Sequence, residues 1–170
     1  MKKLLDNNRQ WAEKCLKKDP EYFRRNAEEQ KPKCLWFGCS DSRVVPNLIL
    51  GLEPGEIFVY RTIANLFPKN DLTCLAVLQF AVEALGVEHI IVCGHTNCGG
   101  MGITELEHVK EWIAQVPPAE EGWSREETNV REQVKNIMDT DVFKNASQKL
   151  HIYGWVYDLN TGLIKDLEVM

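Results

Sequence analysis

Two cysteines and a histidine stand where a chain could use them as metal ligands. Cys39 opens the run Cys39-Ser40-Asp41-Ser42-Arg43, and His95 and Cys98 form a His-x-x-Cys pair within Gly94-His95-Thr96-Asn97-Cys98-Gly99-Gly100. Thiolate and imidazole both suit zinc, a borderline-soft ion. Four protein ligands usually close a structural zinc site, whereas three leave a position open for water or substrate. Asp41 and Arg43 lie two apart in the first run. They could form an exposed loop ion pair of little energetic weight, or Arg43 could fork onto the carboxylate and fix its orientation. A carboxylate beside zinc can accept a hydrogen bond from bound hydroxide or take the fourth ligand position itself.

Both runs follow apolar segments that read as buried strands, Cys34–Gly38 and His89–Cys93. They are therefore expected as loops at strand carboxyl ends. Residues 3–17 carry an amphipathic helical pattern with Leu4, Leu5, Trp11, Cys15 and Leu16 on the apolar side. Pro20 opens a second short helix through Glu29. Pro46–Leu50 reads as a helical turn, Ile57–Tyr60 as a strand, and Leu72–Leu85 as a helix stopped by Gly86. Further helices are expected at 103–115, 125–138 and 141–149. Ile152–Tyr157 and Leu163–Leu167 flank Asp158-Leu159-Asn160-Thr161-Gly162, a hairpin signal. Strands alternating with helices predict an α/β fold with a mostly parallel central β-sheet flanked by helices. In such sheets ligands bind beyond the strand carboxyl ends. The chain divides into an N-terminal helical stretch, 1–32, and an α/β stretch, 33–170, within one domain overall.

Composition excludes several classes. A net charge of −5 without a basic stripe argues against nucleic acid as a partner. No apolar run approaches the roughly 20 residues that span a bilayer, and the apolar stretch after Lys2-Lys3 is too short for a secretory signal. The expected compartment is the cytoplasm, or an organelle matrix if the chain is a processed form. Of six cysteines, Cys34, Cys74 and Cys93 fall in apolar segments and read as small buried hydrophobes. Cys39 as a phosphatase-type nucleophile is disfavoured, because Cys39 to Arg43 is too short for the Cys-x5-Arg phosphate cradle. No Gly-x-Gly-x-x-Gly follows a strand, so a dinucleotide site is disfavoured too.

Taken together, Cys39-Ser40-Asp41-Ser42-Arg43 and His95-Thr96-Asn97-Cys98-Gly99-Gly100 resemble the two signature motifs of the β-class carbonic anhydrases. The resemblance runs from about Gln30 to Gly100 and includes Leu52-Glu53-Pro54-Gly55-Glu56 and Tyr60-Arg61-Thr62-Ile63-Ala64-Asn65. It resumes at Tyr153-Gly154-Trp155-Val156-Tyr157 and Gly162–Leu167. It implies reversible hydration of carbon dioxide to bicarbonate and a proton by attack of zinc-bound hydroxide. Cys39, His95 and Cys98 would ligate zinc, and Asp41 and Arg43 would form the dyad that gates and orients the fourth ligand.

The resemblance implies more. A small apolar substrate pocket would involve Gln30, Phe58, Ile63, Phe80 and Gly99, partly lined from a dimer partner. Without the resemblance, Phe58, Ile63 and Phe80 read as core. Trp36, Arg61 and Tyr157 match a non-catalytic bicarbonate pocket of the allosteric subtype, in which the dyad aspartate swings onto zinc at low pH. The residues alone would make Trp36 and Tyr157 core-facing strand positions. The N-terminal helices would serve dimerisation, giving a homodimer or a dimer of dimers. Alternatives on the same scaffold are a carbonyl sulfide or carbon disulfide hydrolase and a non-catalytic bicarbonate-sensing zinc protein. The segment from Met101 to about Asn129 is shorter than usual in that family, and relatives commonly continue past the position of Met170 with another helix.

Overall fold

Strand residues of alternating direction create two apolar layers, and the sheet exists to separate them. In a computed structural model that describes residues 1–102 and 104–169, five strands form one sheet in the order β2-β1-β3-β4-β5. They are β1 (Cys34–Cys39), β2 (Ile57–Thr62), β3 (His89–His95), β4 (His151–Tyr157) and β5 (Ile164–Asp166). The first four pair in parallel, and β5 returns antiparallel on β4. Successive side chains point to opposite faces. Leu35, Phe37, Ile90, Val92, Ile152 and Val156 enter one core, while Trp36, Ile57, Ile91 and Cys93 enter another with Tyr153, Trp155 and Tyr157 packed on it. This is the expected α/β architecture.

Helices cover those faces. Helix α4 (Leu72–Gln79) and helix α6 (Arg125–Met138) send Cys74, Leu78, Val130, Val134 and Ile137 into the first core. Helix α3 (Pro46–Leu50) places Ile49 and Leu50 on the second. Helices α1 (Lys2–Lys18) and α2 (Tyr22–Glu28) belong to a second compact unit, Met1–Lys31. Trp11 packs edge-on against Tyr22 and Phe23 there. None of the described helices is long and apolar enough to cross a membrane.

Three helical expectations change at their ends. The helix read to Leu85 is α-helical only to Gln79 and then widens into a π turn, Phe80–Ala84, where Leu85 N–H reaches Phe80 O; Gly86, at φ +66, ends it. The helix expected at 103–115 is α5 (Glu107–Ile113), with Ile103 outside the described residues. The helix expected at 141–149 is a single turn, α7 (Asp141–Lys144). Beyond it the Gln148 amide donates to the carbonyls of Val82 and Val87, drawing the chain away from a helical path.

Helix α6 matches its expected limits because its start is strongly written. Ser124 Oγ accepts from Glu127 N–H at 3.2 Å, and Glu127 Oε2 accepts from Ser124 N–H at 2.8 Å, a complete capping box. The second Glu127 oxygen accepts from Lys165 Nζ at 2.6 Å, so the helix start is also tied to β5. Ser124→Ala should cost about 1 kcal/mol. For a chain of this size that lowers the thermal midpoint by about 2–4 °C, measurable by circular dichroism.

Candidate metal centre

Strand pairing brings the three donor residues together. In the parallel register of β1 and β3, Gly38 lies beside Cys93, so Cys39 and His95 end neighbouring strands. The strand order reverses direction between β1 and β3, the crevice where open α/β sheets bind ligands. Cys98 follows His95 through a tight turn in which Asn97 takes φ +53. The Cys39 and Cys98 sulphurs are 3.8 Å apart. Both sulphurs and a ring nitrogen of His95 lie within 4.8 Å of one another, and all three residues are buried.

The histidine is oriented for ligation. Its Nδ1 lies 3.0 Å from Thr96 O. A carbonyl only accepts, so Nδ1 carries the proton and Nε2 keeps its lone pair. Nε2 is buried and has no hydrogen-bond partner among the described residues. A buried imidazole nitrogen left unpaired is costly, and two thiols beside it complete a nitrogen–sulphur donor set of the kind zinc takes. The residues present thus fit a zinc ion. Thr96 is itself fixed, since its N–H donates to Tyr157 O, its Oγ1 donates to Asp158 Oδ1, and it accepts from Leu159 N–H.

Thiol chemistry separates this pair from the other buried cysteines. Burial pushes Cys74 and Cys93 up to about 12, so both stay protonated. Cys39 is pushed down, chiefly by its hydrogen bond with the Cys98 thiol, and Cys98 is pushed up by the same contact. Burial disfavours the His95 imidazolium, but the adjacent Cys39 thiolate outweighs that effect and raises its pKa overall.

Asp41 and Arg43 meet as the fork geometry requires. Arg43 Nε donates to Oδ1 at 2.9 Å and Nη2 to Oδ2 at 2.7 Å, while Arg43 N–H also reaches Oδ1 at 2.9 Å. Asp41 Oδ2 lies 3.7 Å from His95 Nε2. The same loop is gripped from β2, where Arg61 donates from Nε to Cys39 O at 2.8 Å and from Nη2 to Asp41 O. A cavity of about 240 Å³ opens here, lined by Cys39, Ser40, Asp41, Ile63, Gly99 and Gly100.

The remaining expected residues are distributed unevenly. Ile63 and Gly99 line that cavity, whereas Phe58 and Phe80 pack on each other with ring centroids 5.9 Å apart and are not among its lining. Gln30 belongs to the separate N-terminal unit. Trp36 and Tyr157 share the second core, and Arg61 is engaged with the Cys39–Asp41 loop. Trp36 is fully buried and its Nε1 has no partner among the described residues. Gly38 accommodates that indole, because a Cβ there would fall 2.1 Å from Nε1. Sequence reading missed Thr96 and Asp158 as supports of His95. The turn residues after Asp158 were legible, but nothing local announces their tie to a loop 62 positions away.

The Arg43 guanidinium holds the Asp41 carboxyl well below the usual carboxylate range. A depressed folded-state pKa means that the pair adds stability above the ordinary carboxylate range and loses it as pH falls through the depressed value. Arg43→Gln should therefore raise the Asp41 pKa toward about 4. Carbon-13 carboxyl titration by NMR measures this, and an unmoved titration would show that Arg43 is not its cause.

The carbonic anhydrase family profile matches residues 34–164. A carbonic anhydrase of Emericella nidulans is 36% identical over 98% of this chain and 83% of its own. Among solved structures, a Coccomyxa β-carbonic anhydrase in complex with acetazolamide is 37% identical with a TM-score of 0.87, covering 96% of this chain and 84% of that one. A tetrameric β-carbonic anhydrase of Sordaria macrospora is 30% identical with a TM-score of 0.88, covering 97% and 95%. With sequence, fold and the buried Cys-His-Cys cluster in agreement, the chain belongs to the β-class carbonic anhydrase family.

Proposed function

We propose that this protein catalyses the zinc-dependent, reversible hydration of carbon dioxide to bicarbonate and a proton. The observation that carries the reading is the Cys39–His95–Cys98 donor set with the Arg43-held Asp41 carboxylate beside it, opening on a small cavity walled by Ile63 and Gly99. Cys39, His95 and Cys98 would hold the ion. Zinc, when bound, supplies Lewis acidity that lowers the pKa of water, less strongly here than among three histidines because two thiolates already offset its charge.

The chain's own residues then divide the work. The Asp41 carboxylate stays ionised, so, while Arg43 holds it, its Oδ2 is an acceptor that orients the attacking water. Arg43 fixes that oxygen with two parallel hydrogen bonds. Ile63 contributes the apolar wall against which a linear, nonpolar substrate rests. Gln30, Phe58 and Phe80 would complete that wall in the assembled subunits.

We assign the allosteric subtype, with bicarbonate taken by Trp36, Arg61 and Tyr157 and Asp41 able to leave Arg43 for the ion. The unpartnered, buried Trp36 Nε1 and the bonds from Arg61 to the carbonyls of Cys39 and Asp41 support it. An anion competing for Arg61 would loosen the loop that carries Asp41. The assembly is a homodimer or a dimer of dimers, with the N-terminal helices reaching the partner. The exposed apolar residues Leu4, Leu5, Val59, Leu72 and Phe80 support subunit contact, as does the tetrameric state of the Sordaria protein. The proposed compartment is the cytoplasm or an organelle matrix, on the sequence grounds given above.

Stopped-flow carbon dioxide hydration by zinc-loaded protein, followed from roughly pH 6.5 to 9, tests the activity; its rate should rise steeply and cooperatively with pH. Rapid turnover at the acidic end would sink the Asp41 gate alone. No turnover at any pH in protein that binds zinc would sink the hydratase reading and favour the sulfur-containing gases or a sensor. Trp36→Leu should weaken inhibition by bicarbonate, read from the same assay, and unchanged inhibition would remove the regulatory pocket.

A further inference from the structure

Three consecutive backbone carbonyls beside the small cavity are each held by a different part of the chain. Ser40 N–H donates to Thr62 O at 2.8 Å, and Trp112 Nε1 donates to Ile63 O at 2.9 Å. Asn129 Nδ2 donates to Ala64 O at 2.8 Å. The donors come from the Cys39 loop, from α5 and from α6. Gln133 supports the last of them, donating to Asn129 Oδ1 at 2.9 Å and accepting from Phe67 N–H at 2.9 Å. The run needs such restraint, because Ala64 and Asn65 take left-handed φ values of +58 and +47. Non-glycine residues stay in that region only where their surroundings enforce it.

The restraint places the Ile63 side chain. Among the described residues that line the cavity, Ile63 brings the only large apolar side chain. It stands over Gly100, where a Cβ would lie 2.9 Å from Ile63 Cγ2 and 3.0 Å from Ala64 Cβ. Bare backbone at position 100 therefore gives the wall its seat. Ile63 is 39% exposed, so burial alone does not fix it there. Trp112 bonds the carbonyl of Ile63 itself, across 49 positions of chain. The rest of the indole packs on the buried cluster that holds Ala64, Cys39 and Cys98. Packing would need only the ring; the bond to Ile63 needs its N–H.

We propose that Trp112 is a positioning residue for the substrate wall: its indole N–H pins the Ile63 carbonyl and so keeps the Ile63 side chain over Gly100 as a preformed surface for carbon dioxide. The inference deepens the functional reading above and rests on it. Carbon dioxide offers few atoms to grip, so its binding depends on a wall already in place. Without the bond, substrate must order Ile63 as it binds, at a cost no greater than one neutral hydrogen bond. That cost falls on KM rather than kcat, because the wall makes the same contact in the ground state and the transition state.

Trp112→Phe keeps a ring in place and removes the donor. In stopped-flow hydration by zinc-loaded protein, its KM for carbon dioxide should rise about 2- to 10-fold, the range of one neutral hydrogen bond, with kcat unchanged. Ile63→Ala should raise KM as well. Adding Trp112→Phe to it should raise KM no further, because Trp112 acts through Ile63. The Ile63 methyl carbons report the wall by NMR without turnover, and in Trp112→Phe their shifts should move toward rotamer-averaged values. An unchanged KM or unmoved methyl shifts would overturn the proposal. So would additive effects in the double variant, which would assign Trp112 to packing. Absence of hydration by the wild type would overturn the functional reading instead. The methyl shifts need no substrate, so in that case moved shifts keep the Trp112–Ile63 link and unmoved shifts overturn it. If Trp112→Phe does not fold, Trp112→Met, which fills the space without a donor, is read in the same way.

Discussion

Two sulphurs and an imidazole nitrogen held within 4.8 Å in the interior are the constraint on which the remainder of this structure depends. Unpaired polar groups and charges are costly to bury, so a chain that places them together must supply partners and a rigid frame. The frame is the parallel pairing of β1 with β3. It ends two strands side by side and exposes both following loops at the same edge of the sheet. A slip of one residue in that register would turn Cys39 to the opposite face and dissolve the cluster. Cores on both sheet faces, with Leu35 and Phe37 on one side and Trp36 on the other, fix the register.

Around the cluster, each ligand loop is secured by groups distant in sequence. The Cys39 loop is gripped by Arg61 from β2 and by the Thr62 carbonyl. The His95 loop is anchored through Thr96 to Asp158 at the start of the hairpin turn. Placement thus comes from hydrogen bonds to two other parts of the fold, β2 and the turn after β4. These bonds also distribute charge: Asp41 is neutralised by Arg43, while the Asp41 and Cys39 carbonyls receive Arg61. A cationic fork on β2 and an anionic one on the loop are therefore linked through a single stretch of three residues. That linkage ties Arg61 on β2 to the loop whose Asp41 carboxylate lies beside the Cys-His-Cys cluster.

Strain marks the same region. The left-handed pair Ala64–Asn65 lies against the thiols, and buried amides of α6 hold it. The sequence around Asn129 and Gln133 also carries the best-defined helix start in the chain, the Ser124–Glu127 capping box. A firmly nucleated helix is a suitable brace, because its side chains keep fixed spacing along one face.

Local chemistry and periodicity in the sequence were sufficient for the α/β class, the strands that carry Cys39 and His95, and the limits of α6. They also sufficed for the three metal-type residues and the Asp41–Arg43 pair, because motif spacing and strand ends are short-range properties. Cys74 and Cys93 read correctly as small buried hydrophobes for the same reason, whereas Cys34, at the first position of β1, is only partly buried. Tertiary structure alone decided the rest. The π turn at Phe80–Ala84 and the early end of α7 depend on bonds made after packing, such as those from Gln148 to Val82 and Val87. Arg61 is engaged with the Cys39–Asp41 loop, and Phe58 and Phe80 pack on each other at a tilt and are not among the cavity's lining residues, since side-chain direction follows the assembled sheet. Asn129 is an ordinary polar residue in the sequence. Only the fold brings its amide to Ala64, 65 positions earlier, because a buried hydrogen bond between distant segments leaves no periodic or compositional trace.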